Sequence, residues 1–175
     1  MTAIQKSCTD HSLQIAPRQL LKRYVAGERN FRHINLSGET MSWAYLKKAD
    51  LREANLHGTS LQGANLNKAN LRSSNLSSIN LMTADLAGAD LTQANLCAAN
   101  LREADLQGAD LTGADITDAD LTDANLRGTK MPDGTVMSSE QIVSSSGERN
   151  RLYSRFMVLL LKPQKKVSNK KGVLS

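Results

Sequence analysis

The chain has 175 residues, of which only 3% are aromatic, while Leu and Ala supply most of an ordinary 40% apolar content. A core with so few rings excludes the usual compact globule and points to a stack of thin, regular layers. The net charge of +5 hides an asymmetry: residues 1–43 carry +3, residues 44–128 carry −4 and residues 129–175 carry +6.

The start is read as disordered over residues 1–16. The first twenty residues hold no apolar segment of the kind a secretory signal needs, so a cytoplasmic protein is expected. A capping segment follows over residues 17–29. Pro17 suits a first helical position, Leu20, Leu21, Tyr24 and Val25 share one apolar face, and Gly27 stands where a helix would stop. A short helix over 17–26 lying on the first layer is the expectation.

From residue 44 to residue 125 a five-residue pattern, Ala-(Asp/Asn)-Leu-x-x, recurs without a gap. Its central positions are Leu46, Leu51, Leu56, Leu61, Leu66, Leu71, Leu76, Leu81, Leu86, Leu91, Leu96, Leu101, Leu106, Leu111, Ile116, Leu121 and Leu126. Met41, Leu36 and Phe31 continue the register backward. A period of five fits neither a helix nor a strand and specifies a coil that turns one corner per repeat. The central residue and the Ala two before it face inward, and the other three face out. Four sides close one coil of twenty residues, so that Leu51, Leu71, Leu91 and Leu111 stack in one column.

Asn or Asp before each Leu suits a corner, because a short side chain there can bond nearby backbone. Glycines two after the central residue mark a position of positive φ. Thr59, Ser74 and Ile79, in place of the inward Ala, are expected to distort their corners slightly.

These repeats resemble the pentapeptide-repeat family, over residues 30–128. The flanks LLKRYVAGERNFRHINLSGE and MPDG are similar to those of cyanobacterial members. The resemblance implies an all-β, right-handed quadrilateral parallel β-helix, and twenty repeats make about five coils. At ~4.8 Å per layer the rod would be ~24 Å long.

After the array, residues 129–161 are read as a turn at Pro132-Asp133-Gly134 followed by a helix over 148–161, and residues 162–175 as a basic disordered tail. The apolar run 156–161 is far short of the ~20 residues of a membrane-spanning helix.

Catalytic chemistry is not expected. His11, His33 and His57 have no Cys, Ser or Asp at a spacing that suggests a catalytic constellation, and Cys8 and Cys97 lie too far apart to read as a disulfide or metal motif. The run of Asp115, Asp118, Asp120 and Asp123 lacks the Gly and terminal Glu of a calcium loop. No cofactor and no metal are therefore expected.

Two surface features stand out. Glu103, Asp105, Asp110, Asp115, Asp118, Asp120 and Asp123 form the candidate interaction surface, with Arg102 alone against them between residues 101 and 124. Lys162, Lys165, Lys166, Lys170 and Lys171 make the tail basic, beside the apolar run.

The leading expectation is a non-enzymatic scaffold, regulatory in role, that binds an unidentified protein partner as a monomer or weak dimer. Nucleic acid is not an expected partner. A first alternative is a DNA mimic acting on a type II topoisomerase, as resemblance to the quinolone-resistance branch of the family implies. A second is a peripheral protein held to an anionic membrane by its C-terminal segment.

Overall fold

A computed structural model describes residues 13–137. The fold follows from where each backbone N–H goes, and the repeat around Leu91 shows the scheme. The N–H of Ala89 closes a turn on the carbonyl of Leu86 at 2.9 Å. Asp90 donates to Ala69 in the preceding layer at 3.0 Å, and Leu91 donates to Asp110 in the following layer at 2.8 Å. Gln93 donates to Thr112, also in the following layer, at 3.0 Å. The remaining N–H, that of Thr92, meets the Asp90 side chain at 3.0 Å. All five donors are satisfied.

The Asp/Asn position is thereby explained. Its carboxylate or carboxamide oxygen accepts the one N–H that neither the turn nor a neighbouring layer can reach, in an Asx turn. The same bond recurs from Asn30–Arg32 to Asn125–Arg127. Asp and Asn serve equally, so the position fixes an oxygen acceptor and leaves the charge free to vary.

Parallel bridges join residues twenty apart, from Asn30↔Asp50 to Asp110↔Lys130. Leu46 to Leu126 at the central positions, with Ile116, form one continuous buried column system together with the inward Ala residues. The residue two after the central one has positive φ in every repeat from His33 to Gly128, including Trp43 at 64° and Asp118 at 58°. The backbone there is left-handed, which costs a residue with a side chain roughly 1 kcal/mol and glycine nothing.

The inward positions held by Thr59, Ser74 and Ile79 are all buried. Thr59 Oγ1 donates to the Leu36 carbonyl at 2.8 Å and Ser74 Oγ to the Leu71 carbonyl at 2.6 Å. Each small hydroxyl fits the methyl-sized space and satisfies itself on backbone. Thr129 repeats the device on Leu106 at 2.7 Å.

At the N-terminal end, strand β1 (Leu13–Gln14) pairs parallel with β2 (Ile34–Asn35). The expected disorder over residues 1–16 is corrected at its end, because the first coil offers an open ladder that β1 occupies while Ile15 is buried. Residues 1–12, with Cys8 and His11, lie outside the described residues. Helix α1 (Pro17–Val25) begins at its proline and buries Leu20 and Tyr24. The Tyr24 hydroxyl donates to the Lys47 carbonyl at 2.8 Å, and the Arg29 guanidinium sits 3.8 Å from its ring centre.

At the other end the chain doubles back through Pro132-Asp133-Gly134. Lys130 bridges Val136 antiparallel, Gly128 donates to Met137 at 2.8 Å, and Met131 and Met137 are buried. The helix expected over 148–161 and the tail over 162–175 lie outside the described residues. No helix among the described residues is long and apolar enough to cross a membrane.

Candidate functional site

The seven acidic residues are contiguous in sequence and dispersed in space. A coil of twenty residues carries five-residue steps onto four successive sides. Asp105 therefore lies on one side, Asp110 on the next, Asp115 and Asp118 on the third, and Glu103, Asp120 and Asp123 on the fourth. They make a collar around the last coil and do not line any one face.

Four of the collar carboxylates, Asp105, Asp110, Asp115 and Asp120, are pinned by their own turns. Asp115 accepts the Thr117 hydroxyl at 2.6 Å and its N–H at 2.9 Å, and these donors hold its carboxyl below the usual carboxylate range against a weaker opposing effect of burial. Burial pushes the Asp110 carboxyl up, but the Thr112 hydroxyl and N–H and the Lys130 ammonium at 3.3 Å together outweigh it and bring it down. Asp120 behaves alike: burial is outweighed by Thr122 and by Arg102 at 3.4 Å. Asp105 accepts the Gln107 N–H at 3.0 Å and the Asn125 amide at 2.9 Å. Glu103, Asp118 and Asp123 occupy the exposed left-handed corner position.

Of the described histidines, His57 Nδ1 lies 2.8 Å from Ser77 Oγ, and that hydroxyl is donated to Asn75 at 2.7 Å, so no base activates it. His33 faces Glu53 at 3.4 Å. Cys97 is half-buried on an outward position. No group of His, Cys, Asp and Glu among the described residues is placed to hold a metal ion.

A second feature lies at the opposite end of the rod. Trp43 and Tyr45 flank one corner and are 72% and 56% exposed. Both break the repeat: Trp43 stands in the left-handed position, and Tyr45 replaces the Asx residue and so forgoes its turn bond. That double departure from the repeat is legible in the sequence, although neither residue is an acid or a metal ligand.

The pentapeptide-repeat family model matches in eight copies, with overlapping matches running from residue 30 to residue 128. The chain belongs to the pentapeptide-repeat family. Members fold as right-handed quadrilateral β-helices, in keeping with the twenty-residue ladder described above. Among solved structures, a pentapeptide-repeat protein of the cyanobacterium Cyanothece 51142 is 28% identical, with a TM-score of 0.51, over 69% of this chain and 99% of that one. HetL of Nostoc sp. PCC 7120, described as involved in heterocyst differentiation regulation, is 36% identical over 62% of this chain and 55% of its own, with a TM-score of 0.32. A plasmid-mediated fluoroquinolone resistance protein is 21% identical over 58% of this chain and 52% of its own, with a TM-score of 0.55, and shares the fold. Among curated proteins, no sequence matches this chain.

Proposed function

We propose that this pentapeptide-repeat chain is a non-enzymatic scaffold that presents its outward side chains to a protein partner. The observation that carries the reading is the complete backbone accounting of the repeat. Three residues in five point outward from a ladder in which interior repeats such as that of Leu91 bond all five N–H groups, so the outer surface there is held rigid before any partner arrives. A preorganised surface binds without the loss of conformational entropy that a loop would suffer.

The acidic collar is the first candidate contact surface, because turn bonds fix the direction of the Asp105, Asp110, Asp115 and Asp120 carboxylates. Its distribution over four sides does not favour the DNA-mimic reading, since a duplex presents a continuous line of about one charge per ~1.7 Å of axis. No inhibition of gyrase supercoiling is expected at micromolar protein.

The test is affinity capture from native lysate by the wild-type chain and by a variant with Asp110, Asp115 and Asp120 changed to Asn. Asn preserves the turns and removes the charge. A protein captured in fixed ratio by the wild type and lost from the variant supports the reading. Capture of nothing by the wild type contradicts the scaffold, and equal capture by both contradicts the collar.

A further inference from the structure

Trp43 is the chain's only tryptophan, and it is spent on the surface. Of the four aromatic residues described, Tyr24 and Phe31 are buried in the core, while Trp43 and Tyr45 are exposed at one corner. Neither residue is the type that the repeat places there. A left-handed backbone is unfavourable for a bulky side chain, and tyrosine cannot make the bond that Asn or Asp makes at the same point of other repeats. Positions that break the local rules are where function is to be sought.

The corner is nevertheless well ordered. The indole lies against Gly63 in the next layer, where a Cβ would come within 2.3 Å of two ring carbons. Tyr45 packs edge-on to Tyr24, 6.1 Å between ring centres, and Tyr24 is fixed by its bond to the Lys47 carbonyl. The two rings therefore present stationary apolar faces to solvent.

Charge identifies what they would meet. Lys47 and Lys48 follow Tyr45 on the same side of the rod, and Lys68 stands one layer beyond Lys48. None of the three makes an ion pair with another described residue. The basic strip is short. One layer past Asn65 the side turns acidic at Asp85 and then Asp105. A nucleic-acid strand tracking the side would run from the lysines onto those carboxylates, and an anionic bilayer would press against them. A short acidic segment with an apolar side chain would not.

We infer that the corner formed by Trp43, Tyr45, Lys47, Lys48 and Lys68 docks an acidic segment of a partner protein, with an apolar side chain of that segment laid on the indole. This rests on the scaffold reading and names a second surface and the chemistry of its occupant. Exposed, rigid Trp and Tyr are the residue types in which binding energy concentrates.

The site carries its own reporter. Titration of the full chain with a synthetic peptide of alternating Glu and Phe should change the emission of Trp43. The same peptide with Lys for Glu should leave it unchanged. With a labelled peptide followed by anisotropy, Trp43→Ser and the double variant Lys47→Glu/Lys48→Glu should each bind at least about tenfold more weakly. Gly63→Ala, which displaces the indole without removing it, should also weaken binding.

Circular dichroism unchanged in Trp43→Ser shows that the loss is local, as expected for an exposed side chain. Equal binding by wild type and variants overturns the inference, as does no binding at all. Tighter binding of oligothymidylate, or of anionic phospholipid vesicles, also overturns it by assigning the corner to another class of ligand. Failure here, with collar-dependent capture from lysate intact, would remove this surface and leave the scaffold standing.

Discussion

Leu91→Ala measures how rigidly the layers are held. Leu91 is fully buried, stacked between Leu71 and Leu111. Truncation removes three carbons, worth roughly 2.4 kcal/mol at about 0.8 kcal/mol for each. The cavity cannot close. Its walls are tied by the Leu91–Asp110, Asp90–Ala69 and Gln93–Thr112 backbone bonds at 2.8, 3.0 and 3.0 Å. Residual cavity volume should therefore add ~1 kcal/mol, for a total of ~3–4 kcal/mol. The outward control is Gln107→Ala, an exposed side chain, which should change stability by less than about 0.5 kcal/mol. Urea unfolding followed by circular dichroism gives both values, read at an unchanged slope. Similar costs at the two positions, or a loss below about 1 kcal/mol at Leu91, would refute the inward-outward division.

Three further outcomes follow from the same geometry. Asp110, Asp115 and Asp120 have folded pKa values below their unfolded ones, so their stabilisation is present above the unfolded carboxylate value of about 4 and is lost as pH falls through the lower folded values; the melting midpoint should drop below about pH 4, and less so in the triple Asn variant. Ala98→Gly, at φ 56° and exposed, should gain about 0.5 kcal/mol by relieving the left-handed backbone, whereas Ala99→Gly, buried one residue on, should lose about 1 kcal/mol; chemical denaturation separates them. Ser77→Cys places a thiol in the same column as Cys97 one layer away, a separation of ~4.8 Å that a disulfide spans, so oxidation should crosslink it while Ser73→Cys stays reduced on gel shift.

The fold was legible because an unbroken period of five over the central positions admits few other arrangements. Even the corner role of Asn and Asp could be anticipated from side-chain length. Strand β1 could not, since Leu13–Gln14 has no pattern of its own and forms only where the first coil leaves a ladder edge. The return of the chain from Lys130 to Val136 was legible as a turn but not as a second pairing. The arrangement of the acidic collar was not legible for a geometric reason: residues five apart in sequence sit on different sides of a square coil, so a cluster in the text becomes a ring in space. Trp43 and Tyr45 were visible as departures from the repeat. Their exposure, and the seating of the indole on Gly63, required the twenty-residue register.

The scaffold claim is tested most directly by placing a photo-crosslinking amino acid at one outward position on each side of the rod: Arg72, Thr117, Thr83 and Gln107. Irradiation in native lysate should give adducts with a defined protein from one or two adjacent sides and none from the others. Adducts from no side, or equal weak labelling from all four, would contradict the account.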